Sequence, residues 1–204
     1  MIENDPLVAY RAKRNLNKTP EPDGSEHGAG EAPIFVVQKH DASHLHYDLR
    51  IEIGGVLKSW AVPKGPSMDP KVKRLAIPTE DHPLDYARFE GVIPEGEYGA
   101  GTVMVWDIGT YRNVLAEAPM PLTMEHSLER GRLEMRLEGK KLRGAFVMIR
   151  TKRGGAKPQW LIWKGKDDFA KSGVDILIDA PDSALTGRSL EQIAGQESGG
   201  VEKP

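Results

Sequence analysis

The 204-residue chain contains no cysteine. That absence removes disulfide staples and thiolate metal sites together, so a bound metal must sit on His, Asp or Glu. A reducing cytoplasm is the natural compartment for such a chain. Long apolar runs are missing too: "IFVV" at 34–37 and "VMVW" at 103–106 fall far short of the roughly 20 residues that span a bilayer, and no membrane association is expected. The opening "MIENDPLVAYRAKRN" has no apolar core of the kind a secretory signal needs. Helical periodicity is scarce, with residues 168–172 and 189–194 as the helix candidates. Nor does either charge dominate, since 28 Lys and Arg against 30 Asp and Glu leave a net charge of −2. That balance excludes a surface coated in phosphate-binding cations. It leaves room for a local basic cleft, because steering depends on where charges lie rather than on their sum.

What is present fits a globular domain with one sizeable core: 39% hydrophobic and 28% charged residues. Residues 1–33 are rich in charge, Pro and Gly. "TPEPDGSEHGAGEAP" is a poor candidate for packed structure, and "YRAKRNLNKT" reads as a short helix or an arm folded over something else. From Ile34 the texture changes to strands: "IFVVQKH", then "HLHYDLRIEIGGVLKSWAVP" as a hairpin around Gly54-Gly55. "RLAIPT", "GTVMVWDIGTYR", "GRLEMRLEG", "LRGAFVMIRTK" and "QWLIWKG" follow as further strands. Many short strands separated by turn residues predict an all-β sandwich or barrel with minor helix. The expected organisation is an arm at 1–33, a β domain at 34–183 and a flexible tail or linker at 184–204.

The hairpin carries the chemistry. Side chains of a strand alternate faces. In residues 44–51 the odd positions Leu45, Tyr47, Leu49 and Ile51 form a core face, whereas the even positions are His44, His46, Asp48 and Arg50. Upstream, Gln38 and His40 share one parity in their own strand. A solvated face normally carries Lys, Glu, Thr and Ser. Two or three imidazoles with a carboxylate instead suit a first-row divalent metal, and His-x-Asp on a strand aims both groups the same way. Arg50 adds a planar guanidinium that matches a phosphate. A polar but solvated strand remains the competing reading. Further along, "VPKGPSMDP" frames Lys64 in a Pro/Gly loop, and "KVKRLAIPTEDHPLDY" brings Arg74, Glu80, Asp81, His82 and Tyr86. Taken singly, Lys64 and Arg74 read as surface cations, while Pro83 restricts the backbone of His82.

"FVVQKHDASHLHYDLRIEIGGVLKSWAVPKGPSMDP", then "KRLAIPTEDHPLDYARFEGVIPEGEYGAGTVMVWDIGTY", and finally "WLIWKGKDDFA" together strongly resemble the 3′-phosphoesterase domain of bacterial DNA ligase D, a family that includes free-standing members. The resemblance runs from about residue 10 to residue 179. It implies a compact, closed or nearly closed β-barrel with short peripheral helices. It also implies a manganese-dependent activity on primer-template 3′ ends. That activity removes a terminal ribonucleoside to leave a 3′-phosphate, and then hydrolyses that phosphate to a 3′-hydroxyl ready for an end-joining polymerase or ligase. Carried over residue by residue, the resemblance makes His40, His46 and Asp48 the metal ligands. Arg50, Lys64 and Arg74 become phosphate contacts, and Gln38 and Tyr86 line the pocket. His82 is expected opposite the metal, touching phosphate or protonating the leaving oxygen, while His44 has no role. In the arm "KRNLNKTPEP", Arg14 and Glu21 match the family, and residues 10–22 are expected to pack over the pocket. Asn15 and Leu16 stand where the family carries Asp and Phe, and an amide cannot serve as a base. The same ligands accept cobalt, zinc or copper as well as manganese. Two rival readings follow from the same residues. One is an Fe(II) oxygenase using His46, Asp48 and His82 as a facial triad; the other is a non-catalytic DNA-end-binding module.

Overall fold

The computed structural model describes residues 5–25, 30, 32–151 and 158–197. Within them the period-two pattern becomes nine strands: β1 Ile34–Asp41, β2 Leu45–Ile53, β3 Val56–Val62, β4 Arg74–Pro78, β5 Gly91–Ile93, β6 Gly101–Asn113, β7 Arg132–Gly139, β8 Arg143–Thr151 and β9 Gln159–Lys164. All pairings are antiparallel, in the order β1-β2-β3-β4-β9-β8-β7-β6-β5. β1 also pairs with β6, so eight strands close into a barrel and β5 is left on the flank of β6. The β2–β3 hairpin turns at Gly54 and Gly55, with φ of 63° and 78°. Positive φ at both central residues is what a two-residue turn matching the strand twist requires.

The odd face of β2 points into the barrel. Tyr47, Leu49, Ile51 and Ile53 meet Phe35, Val37, Trp60, Met104 and Trp106 there. Leu45 was expected on that face, but as the first residue of β2 it is 48% exposed. The even face is not solvated. It lies on the outer wall formed by β1, β2, β3 and β6, with Val36, Val103, Val105 and Leu57 among its residues. A second apolar cluster covers this wall: Tyr86, Ala87 and Phe89, from or just after a 3-10 helix at Leu84–Arg88, and Leu7 and Tyr10 from the arm. The roof therefore turns one patch of barrel exterior into an interior.

Among the described residues four short α-helices lie outside the barrel: α1 Val8–Ala12, α2 Met124–Arg130, α3 Ile176–Asp179 and α4 Leu190–Glu197. α2 was not expected from the sequence. The Thr123 hydroxyl caps it at His126 N, and Gly131 ends it at φ 77°, an efficient start and stop for so short a segment. The helix expected at 168–172 is a run of turns, and the chain becomes helical only at α3, where the Asp175 carboxylate caps Leu177 N.

Residues 184–197, expected within the flexible tail, are packed. α4 lies against β5 and β6 with Leu190 7% and Ile193 1% exposed. The Glu90 carboxylate accepts from Ser183 Oγ, Thr186 Oγ1 and Arg188 Nη2 and ties the approach to α4 to the barrel. Residues 1–4, 26–29 and 31 of the expected arm and 198–204 of the expected tail lie outside the described residues. No described helix is long and apolar enough to cross a membrane.

Candidate active site

The paired strands β1 and β2 set the geometry of the candidate ligands by register: His40 lies opposite His46, and Gln38 opposite Asp48. One donor atom from each of His40, His46 and Asp48 falls within 4.8 Å of the others. His40 Nδ1 is 3.7 Å from Asp48 Oδ2, and His46 Nε2 is 3.7 Å from Asp48 Oδ1. The far nitrogen of each ring is committed elsewhere. His40 Nε2 donates to Gly99 O at 2.9 Å, and His46 Nδ1 donates to His44 O at 2.9 Å. Tying one ring nitrogen to a backbone carbonyl leaves the lone pair on the other, so both lone pairs face the Asp48 carboxylate. Two such imidazoles and a carboxylate form a donor set that fits a divalent transition metal. His44 contributes its carbonyl, while its side chain is exposed.

Behind the ligands stands Arg50, 3% exposed. Its Nη2 donates to Asp48 Oδ2 at 3.1 Å and its Nε to Gln38 Oε1 at 2.7 Å. Gln38 in turn donates through Nε2 to Tyr86 O and Phe89 O, at 3.0 and 3.1 Å, and so fastens the roof to β1. Burial alone would push the Asp48 carboxyl up; the Arg50 guanidinium is the largest influence holding it below the ordinary carboxylate range.

His82 is pinned to β3 by two backbone hydrogen bonds with Leu57. Its Nδ1 lies 2.9 Å from Glu80 O, 3.0 Å from Arg50 Nη1 and 3.3 Å from Ser59 Oγ, and its Nε2 lies 3.1 Å from Arg14 Nη2. With Nδ1–H donating to Glu80 O, Nε2 is left to accept from Arg14. Burial, then the Arg50 and Arg14 charges, push the ring's pKa well below 6.5 and hold it neutral.

The arm closes the network. Arg14, its side chain 4% exposed, reaches Glu21 Oε1 at 2.8 Å and Glu80 Oε1 at 3.1 Å. Glu21 also accepts from Tyr86 Oη at 2.9 Å and Thr19 Oγ1 at 2.9 Å, and burial keeps the Tyr86 hydroxyl protonated by raising its pKa far above 10. The Tyr10 hydroxyl donates to Pro22 O at 2.5 Å, which holds the arm's two halves together. Burial pushes Glu80 up, but Lys13 and Arg14 hold it below its ordinary value.

The structure thus brings Gln38, His40, His46, Asp48, Arg50, His82, Tyr86, Arg14 and Glu21 into one connected arrangement. Lys64 and Arg74 make no hydrogen bond or ion pair with it among the described residues. Lys64 is exposed in the loop after β3, and Arg74 opens β4 opposite Ile162, with a buried Nε that has no protein partner. Asn15 is exposed, and its Oδ1 accepts from Asn17 N within the arm at 3.3 Å. Glu80, Ser59, Lys13 and Tyr98 were not selected from the sequence as site residues. The one available signal was the position of Glu80, two residues before His82.

The comparisons with known proteins agree on one family. The profile of the DNA Ligase D 3′-phosphoesterase domain matches residues 38–150. The multifunctional non-homologous end joining protein LigD of Pseudomonas aeruginosa is 47% identical over the whole of this chain, which corresponds to 24% of that relative. The multifunctional non-homologous end joining DNA repair protein LigD of Mycobacterium tuberculosis is 45% identical over 72% of this chain and 18% of its own length. LigD of Mycolicibacterium smegmatis is 42% identical over 80% of this chain and 21% of its own length. The chain therefore spans a quarter or less of each of these three relatives.

Proposed function

The chain belongs to the DNA ligase D 3′-phosphoesterase domain family, and from that premise we propose that it hydrolyses phosphoesters at DNA 3′ ends during non-homologous end joining. The observation that carries this reading is the pair of imidazole lone pairs turned by backbone carbonyls onto Asp48, with Arg50 directly behind. A divalent ion held by His40, His46 and Asp48 supplies Lewis acidity toward a phosphoryl group and an activated water; manganese is our choice, and cobalt, zinc and copper fit the same donors.

The chain's own groups account for substrate binding. A guanidinium carries five N–H donors, so Arg50 keeps donors beyond those facing Gln38, Asp48 and His82 and offers them to a phosphoryl oxygen. Such fixed positive groups are worth most where water is excluded, as beneath this roof. Arg74, with its unpartnered Nε, and the exposed Lys64 make no bond to this network among the described residues, and we assign them to the substrate backbone. Of the two roles expected for His82, contact to phosphate and proton donation, the neutral ring argues against the second; with Nδ1–H held by Glu80 O and Nε2 accepting from Arg14, we infer that it serves the phosphate by positioning the Arg14 and Arg50 guanidiniums. In the diesterase step water adds to phosphorus and the P–O5′ bond of the terminal ribonucleoside breaks. The nucleoside leaves with its 5′-hydroxyl and the primer keeps a 3′-phosphate. In the monoesterase step a second water releases inorganic phosphate and the 3′-hydroxyl.

The deciding experiment uses a 5′-labelled primer-template ending in one ribonucleotide, with and without manganese. The expected products are the 3′-phosphate strand followed by the 3′-hydroxyl strand, both dependent on added metal. Tight end binding without either product would favour the non-catalytic end-binding module instead.

A further inference from the structure

At the lip of the ligand cluster Tyr98 is 47% exposed. Its neighbour Gly99 gives its carbonyl to His40 Nε2 at 2.9 Å, so the ring stands one residue from the carbonyl that orients a proposed ligand. Tyr98 is not a loose surface side chain. Its hydroxyl lies 3.2 Å from Lys13 Nζ and 3.5 Å from Glu80 Oε2. Lys13 Nζ sits 4.6 Å from the ring centroid and Arg14 Cζ 5.5 Å from it. The loop beneath is equally constrained: Glu97 N donates to Pro94 O at 3.2 Å and Ala100 N to Glu97 O at 3.1 Å. At Gly101, where φ is 139°, the chain passes so close to β1 that a Cβ would lie 2.2 Å from Asp41 O. A ring tethered in this way, in a residue that is 47% exposed, keeps aromatic surface in water at a fixed position.

We propose that Tyr98 is a nucleobase-stacking subsite that takes the base of the substrate's 3′-terminal nucleoside. The inference rests on the phosphoesterase reading above and names where the leaving group of that reaction sits. With the scissile phosphate against His40, His46, Asp48 and Arg50, the terminal base is one sugar away, and Tyr98 adjoins the Gly99 carbonyl that holds His40. Every base has a π-face, so an aromatic platform tolerates any base, as an activity on whichever nucleoside ends the strand requires. Lys13 and Arg14 lie over the ring and add cation–π attraction that fixes it.

The test compares the full chain with Tyr98→Ala and Tyr98→Phe on two primer-templates. One ends in a ribonucleotide bearing 2-aminopurine, and the other ends in an abasic ribose. Stacking quenches 2-aminopurine fluorescence on binding, read without added metal, and KM and kcat are read with manganese. Tyr98→Ala is expected to lose the quench and to raise KM for the base-bearing end by roughly 5- to 150-fold, the range of one base–aromatic stack. On the abasic end Tyr98→Ala and the parent should coincide, because ring and base act as one pair. Tyr98→Phe should recover both quench and KM relative to Tyr98→Ala. The proposal is overturned if Tyr98→Ala keeps the quench and KM, if it loses equally on both ends, or if Tyr98→Phe behaves like Tyr98→Ala. That last result would assign the effect to the hydroxyl's hold on Glu80 and Lys13. A parent chain that quenches 2-aminopurine but yields no metal-dependent product defeats the phosphoesterase reading and not the stack.

Discussion

Replacing Glu21 with alanine asks whether the arm is part of the site or merely lies beside it. The Glu21 side chain is 0% exposed and accepts from Arg14 Nε, Tyr86 Oη and Thr19 Oγ1 at 2.8, 2.9 and 2.9 Å. Its loss leaves Arg14 with Glu80 Oε1, at 3.1 Å, as its remaining carboxylate. Deleting one partner of a buried ion pair costs about 3–5 kcal/mol, and the surviving Glu80 contact places this case near the lower limit. The arm covers the barrel wall without adding a strand to it, so the loss is expected as local opening ahead of global unfolding. At 1.4 kcal/mol per factor of ten, about 3 kcal/mol is a roughly 150-fold rise in arm opening. Native-state hydrogen exchange reads this directly at the amides of Arg11, Lys18 and Thr19, which are bonded to carbonyls within the arm. The amides of β7 and β8, on the far wall, should change little. Glu21→Gln keeps an acceptor for Tyr86 but loses the charge, and should fall between parent and alanine variant. Arm exchange within threefold of the parent in Glu21→Ala would show that this carboxylate does not hold the roof.

His46→Ala removes a proposed ligand whose side chain is 23% exposed, so stability should stay within about 1 kcal/mol while calorimetric manganese binding and 3′-end hydrolysis are both lost; parental metal affinity would remove His46 from the ligand set. The neutral His82 gives stability a definite pH slope. Its folded pKa lies below 6.5, so below pH 6.5 the unfolded chain takes up the proton first. The stabilisation is complete above that value and is lost as the pH falls toward the lowered folded pKa. Melting curves of His82→Gln should therefore show a flatter acid limb than the parent, and an unchanged limb would mean that His82 is not held neutral. Glu90→Ala strips Ser183, Thr186 and Arg188 of a shared acceptor, at about 1.5–3 kcal/mol for the charged contact. Faster proteolysis between residues 181 and 190 is expected, and parental resistance would refute the tether.

The barrel was legible because its cause is local. Alternation in "HLHYDLRIEI" and the Gly54-Gly55 turn specify a hairpin whatever the remainder of the chain does. The misread elements depend on partners instead. Residues 184–197 have the Gly, Ser and Glu content of a linker, and their order comes from apolar contacts of Ala184, Leu185, Leu190 and Ile193, plus a carboxylate 96–98 residues away at Glu90. α2 hides between strands because its helical stretch is seven residues long and its cap, Thr123, looks like any turn residue.

Within the site, periodicity selects a face but cannot rank the residues on it. His44 and His46 share parity with Asp48, yet β2 begins at Leu45. His44 therefore sits in the preceding bend and contributes a carbonyl, while His46 contributes a ring. Parity also misjudges the environment of that face. A polar strand face signals solvent or a site with equal force until something covers it, and the cover comes from residues 7–21 and 84–89, neither of which shows strand periodicity. Family resemblance supplied Arg14 and Glu21 from the first of these segments, but not the contact that gives Arg14 its consequence. That contact, Arg14 Nη2 to His82 Nε2, joins positions 68 apart in the chain. It places a second permanent cation on a histidine already facing Arg50. A protonated His82 would meet both guanidiniums with no recorded carboxylate contact among the described residues, so the roof that encloses the proposed phosphate site also selects the neutral form of the histidine within it.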